Sequence, residues 1–328
     1  TGIIVGFMGM GMMCYSLVEN LVKVILIPAT PSAVALVLPF KVKGTFYVPF
    51  FYWIISVFLL VIVHEFSHGV ISRRYGFRIK SSGLAFLGIV VPLVPAAFVE
   101  PDEKKMEKSP RLHQLSVFAA GSFSNIVFAF IALGLMFFVV NPVLGSITQD
   151  NGVVVSGLIN GTNGSLPAEM AGITPGEMII KVGDMDIFTV ENLSDALKAM
   201  SPGDFVNITT NKTEYSLKLA QNPENASLAY MGAYLSQNSV VKPSFKAKYG
   251  SFAPDAMIWT AGLILWLFIL NLGIGLFNLV PLPITDGGKM VYISLLHYFD
   301  KKKAMKVWKG IAIFFVLLII ANILAGFF

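Results

Sequence analysis

Charged residues and cysteine are both scarce in this chain. Of its 328 residues, 13% are Asp, Glu, Lys or Arg, whereas soluble domains contain about 25%. This deficit excludes an ordinary soluble protein, and the 27 phenylalanines exclude a disordered or fibrous one. The single cysteine, Cys14, excludes an intrachain disulfide scaffold and a cysteine-rich metal site.

Apolar sequence, by contrast, is abundant, since 55% of the residues are hydrophobic. A helix needs about 20 predominantly apolar residues to cross a hydrocarbon core of about 30 Å. The long stretches without charged residues predict spanning helices at about residues 3–27, 49–72, 112–140, 257–280 and 309–328. We therefore expect a polytopic α-helical membrane protein.

One uncharged stretch, residues 81–99, has a different character. It is rich in β-branched residues and contains four helix-breaking residues, Gly83, Gly88, Pro92 and Pro95. Irregular backbone at membrane depth is tolerated only against protein or a wet cavity. The stretch therefore predicts a membrane re-entrant β element buried against the rest of the protein.

The middle of the chain has the composition of a soluble domain. Residues 141–257 contain 7 Lys, no Arg and 11 acidic residues, a net charge of −4, and the remainder has 17 basic and 8 acidic residues, a net charge of +9. We therefore expect a membrane domain in two parts, residues 1–141 and 241–328, separated by an inserted domain, residues 142–240.

The distribution of charge also predicts sidedness. The overall net charge of +5 is weak support for a nucleic-acid partner, and none is expected. Short basic loops of membrane proteins face the cytoplasm, which assigns residues 73–80, 104–111 and 301–309 to that side. The acidic insert is then extracytoplasmic.

A compact group of ionisable residues follows the second apolar run. His64, Glu65 and His68 form an H-E-x-x-H motif, whose two imidazoles share one helix face and can bind zinc while the Glu acts as a general base. At 1.5 Å per residue before Arg73, the pair lies roughly 7 to 14 Å below the cytoplasmic boundary. Ionisable groups at this depth are costly and indicate function. The alternative is a hydrogen-bonded interfacial cluster.

A zinc site of this kind needs a third protein ligand and leaves one position for water. Asp286 ends an uncharged run in which Pro281 and Pro283 break the helix, and a broken helix at this depth indicates a cavity or a protein contact. We expect Asp286 to be the third ligand, with His297 in reserve. The alternative for Asp286 is a solvated helix cap near Lys289.

Together these motifs resemble the site-2 protease family of intramembrane zinc metalloproteases. The resemblance rests on the H-E-x-x-H motif at residues 64–68 and an N-x-x-P-x-P-x-x-D-G element at residues 278–287. The family's middle G-x-x-x-N element is matched at residues 121–125, with Ser122 where the family usually has Pro.

The resemblance implies a role for each matching position. His64, His68 and Asp286 correspond to the ligands of one zinc ion. Glu65 corresponds to the catalytic glutamate, and Asn125 to an Asn that helps to hold the substrate carbonyl or its oxyanion. Residues 81–99 look like the family's re-entrant β element.

The insert carries a second resemblance. Residues 171–179 match the A-G-I/L-x-x-G-D/E-x-I segment of protease-type PDZ domains. This implies a PDZ-like α+β domain that binds a peptide C-terminus or excludes substrates with bulky outer domains. A spacer without peptide binding is the alternative, because a fold alone does not define a function.

The expected activity is zinc-dependent hydrolysis of peptide bonds within or beside transmembrane segments of membrane-anchored substrates. A helix hides its carbonyls, so we expect the edge of residues 81–99 to bind the unwound substrate by β-strand addition, away from Pro92 and Pro95, which cannot donate. A membrane-bound zincin that cuts extramembrane segments, or a transporter or scaffold with an external binding domain, is the alternative.

Overall fold

The computed structural model describes residues 1–26, 36–42, 45–87, 94–159, 166–223 and 225–325. The chain forms two compact units, one of residues 1–140 with 259–328 and the other of residues 141–258. The second unit includes the whole predicted insert, residues 142–240. It also includes residues 241–258, which contain a short helix, Pro243–Tyr249, and the first turns of the next one, which begins at Phe252.

The α-helices are described in chain order. They are α1 (Gly2–Leu26), α2 (Phe50–Arg74), α3 (Glu103–Glu107), α4 (Arg111–Leu135), α5 (Asn141–Ile147), α6 (Pro167–Met170), α7 (Val190–Lys198), α8 (Pro243–Tyr249), α9 (Phe252–Phe277), α10 (Asp286–Tyr298) and α11 (Lys301–Ala325). A π-helical turn, Met136–Val140, joins α4 to α5.

The strands follow the same order. They are β1 (Leu36–Leu38), β2 (Thr45–Tyr47), β3 (Ile79–Leu87), β4 (Val94–Pro101), β5 (Thr148–Leu158), β6 (Met178–Val182), β7 (Met185–Asp186), β8 (Phe205–Thr210), β9 (Glu214–Lys218), β10 (Ala220–Gln221), β11 (Ala229–Tyr230) and β12 (Ala233–Val241).

Five helices within the described residues are long and apolar enough to cross a membrane: α1, α2, α4 with its continuation to Ile147, α9 and α11. They confirm the expected polytopic membrane protein. The start of α11 differs from the expectation, because the basic stretch 301–309 is helical rather than a loop. The Asp300 carboxylate accepts from the backbone N–H groups of Lys302 and Lys303 and so caps this helix.

Helix α1 packs closely against the part of the chain that follows α9. A Cβ atom on Gly9 would lie 2.7 Å from the Leu279 side chain, and one on Gly6 would lie 3.0 Å from Met290. Both apolar partners are fully buried. Glycines of this kind let helices in a membrane approach one another at their backbones.

Residues 79–87 and 94–101 form two strands of the expected extended element. Strands β3 and β4 pair antiparallel, in a register that runs from Ile79 opposite Pro101 to Leu87 opposite Val94. Residues 88–93, which include Gly88 and Pro92, lie outside the described residues. The depth of this hairpin in a membrane stays a prediction.

The second unit is built on an antiparallel sheet with strand order β12-β5-β6-β8-β9, and β7 pairs with β6. Its PDZ-like motif supplies both turn and core residues. Gly172 and Gly176 have φ angles of +86° and +94°, which favour glycine. Ile173 and Ile179 belong to the buried core.

The acidic position of that motif, Glu177, is 1% exposed and fully hydrogen-bonded. Its carboxylate accepts from the N–H and hydroxyl of Thr174 and from the hydroxyls of Thr210 and Tyr215, over 2.7 to 3.2 Å. Burial alone raises the pKa of this carboxyl, but the hydrogen bonds outweigh it and lower the pKa from 4.5 to about 2. Glu177 therefore joins the loop before β6 to strands β8 and β9.

Candidate metal centre

The two histidines of the H-E-x-x-H motif lie on one face of α2, which runs without interruption from Phe50 to Arg74. His64 and His68 are both buried, at 7% and 8% exposure. Their Nε2 atoms are 3.1 Å apart. The i and i+4 spacing therefore brings two nitrogen ligands to one point, as expected from helix geometry.

Asp286 reaches the same point from the far end of the chain. Helix α9 ends at Phe277 and α10 begins at Asp286, so the chain is irregular where its two prolines lie. The Oδ2 atom of Asp286 is 3.1 Å from Nε2 of His64 and 3.0 Å from Nε2 of His68. The structure thus brings all three sequence-predicted ligand side chains together.

The alternative role for Asp286, a helix cap, is filled by another residue. The Thr285 hydroxyl accepts from the Gly288 N–H at the start of α10 and donates to the Val280 carbonyl. The second oxygen of Asp286, Oδ1, lies 3.8 Å from the Lys289 ammonium. This leaves Oδ2 directed at the histidines.

The three ligand atoms fit a zinc ion. Tetrahedral ligands bound at about 2.0–2.1 Å lie about 3.3–3.4 Å from one another. The observed separations of 3.0 to 3.1 Å are slightly shorter, a difference that small side-chain rotations accommodate. Two imidazole nitrogens and one carboxylate oxygen are typical zinc donors, and three of them leave a fourth position open.

Gly121 leaves space beside the ligand nitrogens of the two histidines. A Cβ atom at this position would lie 2.5 Å from Nε2 of both His64 and His68, so any side chain would fill the space where these atoms meet. Helix α4 passes without interruption through Ser122, the position at which the family usually has Pro. The G-x-x-x-N motif identifies this glycine in the sequence. Only the structure reveals its contact with the two histidines.

The two glycines after Asp286 permit a tight fold of the chain. A Cβ atom on Gly287 would collide with the carbonyl oxygen of Leu279, and one on Gly288 with that of Leu282. The Gly287 N–H also donates to the Asn278 carbonyl over 3.0 Å. The D-G-G sequence therefore lets α10 start directly against the irregular segment, which positions Asp286.

The other ring nitrogen of each histidine also has a partner. Nδ1 of His68 lies 2.7 Å from the Val117 carbonyl, and because a carbonyl only accepts, this nitrogen must carry the proton. Its Nε2 then has a free lone pair. Nδ1 of His64 lies 3.2 Å from the side-chain amide of Asn125.

A cavity of about 430 Å³ adjoins the centre and is lined by His64, Glu65, His68, Asn278 and Asp286, together with residues of β4. Oε2 of Glu65 accepts from the Val99 N–H over 3.1 Å. The side-chain amide of Asn278 is 3.3 Å from Nε2 of His64. In the sequence, Asn278 stands out only as a motif position, because an uncharged amide gives no sign of its depth or partners.

Two of the sequence-predicted candidates lie away from the cavity lining. Asn125 is 0% exposed and is not among the residues that line it. His297, the reserve ligand, is next to Arg111, with Nδ1 2.9 Å from Nη1. Within the described residues, His64, His68 and Asp286 form the group that can hold a metal ion.

These features define a polytopic membrane protein with a buried His-His-Asp centre. The sequence model of Peptidase family M50 matches residues 52–321. The chain therefore belongs to this family, the site-2 protease family, which confirms the resemblance. Family membership also supports the expected class of enzyme, a metalloendopeptidase.

Two relatives are similar in sequence to most of this chain, at low identity. An uncharacterized protein of Methanocaldococcus jannaschii is 22% identical over 240 residues, covering 73% of this chain and 56% of that protein. A Rickettsia conorii protein, whose name describes it provisionally as a zinc metalloprotease, is 21% identical over 351 residues, covering 84% and 98%. The chain thus spans about half of the archaeal relative and nearly all of the rickettsial one.

Two shorter similarities were also found. The regulator of sigma-E protease RseP of Salmonella typhimurium is 28% identical over 128 residues, covering 30% of this chain and 28% of that protein. The crystal structure of the PDZ domain of an SdrC-like protein from Listeria monocytogenes is 18% identical, covering 26% of this chain and 86% of that domain, with a TM-score of 0.22.

Proposed function

We propose that this protein is a zinc-dependent intramembrane endopeptidase that hydrolyses peptide bonds within or beside transmembrane segments of membrane-anchored substrates. One observation carries the proposal. Residues 218 positions apart, His68 and Asp286, meet with His64 at a buried point of a unit built on apolar helices. A structural cluster in a transporter or scaffold has no need of three zinc-type donors beside an open cavity.

His64, His68 and Asp286 would hold one zinc ion. A bound zinc ion lowers the pKa of water and polarises a carbonyl group. Glu65 lines the same cavity and takes the proton from the attacking water, then passes it to the leaving amine. The third ligand proposed here is an Asp, whereas a zincin usually has a Glu from a later helix as its third zinc ligand. Asp286 therefore favours the intramembrane protease over the zincin.

An amide donor for the substrate carbonyl is also available. The resemblance assigns this role to Asn125, but the amide that lines the cavity is that of Asn278. We therefore assign to Asn278 the hydrogen bond to the developing oxyanion. Removal of one such donor typically costs about 100- to 1,000-fold in rate.

The β3–β4 hairpin would bind the unwound substrate by strand addition. Since Val99 donates to Glu65, its N–H points away from β3, and alternation along a strand gives Ala97 the same direction. Pro95 and Pro101 occupy the other positions with this direction and cannot donate. The free edge of β4 therefore offers two donors, Ala97 and Val99, to a substrate strand that passes the centre.

The second unit would lie outside the cytoplasm and act on the substrate before cleavage. The basic residues after α2 and the positive-inside rule for short loops support this sidedness. A PDZ-like domain there would bind a peptide C-terminus by strand addition or exclude bulky outer domains. Its motif and antiparallel sheet support the PDZ-like assignment.

Zinc content and cleavage of a transmembrane substrate, both measured on the purified full chain, test the proposal. We expect Glu65→Gln to retain zinc and lose cleavage, and Asp286→Ala to lose both. Glu103→Gln, a neutralised carboxylate at the same cavity, is the matched control and should cleave normally. Full cleavage by Glu65→Gln would remove the enzymatic proposal, and cleavage confined to extramembrane segments would favour the zincin.

A further inference from the structure

The side chain of Asn125 faces His64 rather than the cavity. It is 0% exposed on α4, and its amide lies 3.2 Å from Nδ1 of His64. Among the described residues, this amide is the hydrogen-bonding group in contact with that nitrogen. Helix α9 packs directly on Asn125, because a Cβ atom on Gly275 would lie 2.9 Å from the Asn125 Cβ. Helix α9 therefore packs on the Cβ atom of Asn125, whose amide contacts the imidazole of His64.

The chemistry of the imidazole fixes the direction of this hydrogen bond. A neutral histidine that gives the Nε2 lone pair to a metal must carry its proton on Nδ1. That N–H needs an acceptor, and metal-bound histidines almost always have one. At His68 the acceptor is the Val117 carbonyl. At His64 the available acceptor is the Asn125 amide oxygen.

The two orientations of the amide have different consequences. With the amide nitrogen toward His64, Oδ1 of Asn125 is buried without a hydrogen-bond partner. Nδ1 must then accept, which puts the proton on Nε2, where it blocks the ligand position. A half-turn of the terminal torsion presents Oδ1 to Nδ1 and frees Nε2. The oxygen and nitrogen of an amide exchange places in this way without other movement.

We propose that Asn125 is a positioning residue that accepts a hydrogen bond from Nδ1–H of His64 and so fixes the tautomer whose Nε2 binds the metal. The inference rests on the proposed function of the His-His-Asp centre. It gives Asn125 a different task from that of an oxyanion donor, since here the amide oxygen acts and the amide nitrogen does not.

Two substitutions of similar size separate these tasks. Asn125→Asp keeps an acceptor and removes the donor, whereas Asn125→Leu removes both. Zinc affinity is measured by chelator competition on the purified full chain, and cleavage is measured with a transmembrane substrate. We expect Asn125→Leu to weaken zinc binding by about 10- to 100-fold, the usual effect of losing such an outer partner. Asn125→Asp should bind zinc at least as tightly as the wild type and retain cleavage.

The opposite pattern would overturn the inference. An oxyanion donor predicts unchanged zinc affinity in both variants and about 100- to 1,000-fold less cleavage in Asn125→Asp. Loss of zinc by Asn125→Asp would also overturn it, because an acceptor would then not suffice. If Asn125→Leu fails to fold, the Asp variant alone decides between these outcomes.

Matched controls keep the inference distinct from the proposed function. Asn271→Leu makes the same change at a fully buried Asn of α9, where the amide bonds to the Leu267 carbonyl. It should leave zinc affinity unchanged. A wild-type chain that binds no zinc would remove the proposed function itself. A wild type that binds zinc with the same affinity as Asn125→Leu would remove only the role of Asn125.

Discussion

The backbone N–H of Val99 donates to Oε2 of Glu65 over 3.1 Å, which joins strand β4 to the carboxylate proposed as general base. The same N–H is one of two donors on the free edge of β4. A substrate strand that pairs with this edge therefore needs the donor that Glu65 holds. Strand addition would release the carboxylate at the moment when a peptide bond reaches the centre.

Val99→Pro tests this edge directly, because proline removes the N–H group while Pro101 already occupies an equivalent position of the strand. We expect cleavage to fall by about 2- to 10-fold, the equivalent of one neutral backbone hydrogen bond to the substrate strand, with zinc content unchanged. Val99→Ala keeps the N–H and should cleave at a near-normal rate. Equal loss of zinc and cleavage in the proline variant would contradict the edge hypothesis.

Gly121→Ala should abolish zinc binding and cleavage together. The added Cβ atom meets the Nε2 atoms of His64 and His68 at 2.5 Å, so the ligands must separate. The helix itself should tolerate the change, since alanine is a better helix former by about 1 kcal/mol. Zinc content and thermal unfolding are the measurements.

The control for this glycine lies on the same helix. A Cβ atom on Gly134 meets nothing within 4 Å, so Gly134→Ala should retain zinc and activity. Normal zinc affinity in Gly121→Ala would show that the histidines do not bind the metal as proposed.

Asn278→Leu should reduce kcat by about 100- to 1,000-fold, the range for loss of one oxyanion donor. Zinc affinity should persist, because the contact with Gly287 uses the backbone carbonyl of Asn278 rather than its amide. Steady-state kinetics with zinc analysis will check this. A variant with normal kcat would return the oxyanion role to another residue.

Glu177 should make the stability of the second unit depend on pH. The pKa of this carboxyl is lowered from 4.5 to about 2 in the folded chain. Its contribution is therefore fully present above pH 4.5 and is lost as pH falls toward 2. Hydrogen exchange of the full chain between these pH values will measure it.

Substitution of the same residue provides a second test. Glu177→Gln should cost about 1–3 kcal/mol at neutral pH, because buried partners lose their acceptor, and should flatten the acid dependence. Glu214→Gln, at an exposed position of the same unit, should change neither. An unaltered acid profile in Glu177→Gln would mean that other carboxyls carry the effect.

The predicted sidedness can be measured by cysteine labelling, since Cys14 is the only natural thiol. In a Cys14→Ser background, Ser227→Cys in the second unit should react with a membrane-impermeant maleimide added to intact cells. Lys104→Cys should react only after permeabilisation. The reverse pattern would invert the proposed topology.

Apolar run length was sufficient to predict the spanning helices, and Pro281 and Pro283 marked the break before Asp286. The apolar run alone does not predict the start of α11, because this helix begins with lysines; Asp300 caps it, and lysine is a good helix former. The local composition does not predict a helix cap of this kind, in which a carboxylate accepts from the first backbone N–H groups.

Contacts between distant helices were beyond sequence reasoning. The open side of the centre at Gly121 depends on how closely α4 approaches α2. The contact of Asn125 with His64 depends on the same packing. Asn278 is uncharged, so the sequence does not mark it as a site residue. The motifs identify the positions of these residues, whereas the roles proposed for them rest on their distances to His64.

The order of the three proposed ligands along the chain has a consequence for biosynthesis. A ribosome makes both imidazoles first, then the entire second unit, and only afterwards the carboxylate at position 286. On the proposed ligand set, a nascent chain is therefore an inert hydrolase while the helices before position 286 are being inserted, and peptide-bond cleavage can start only after that carboxylate has been made.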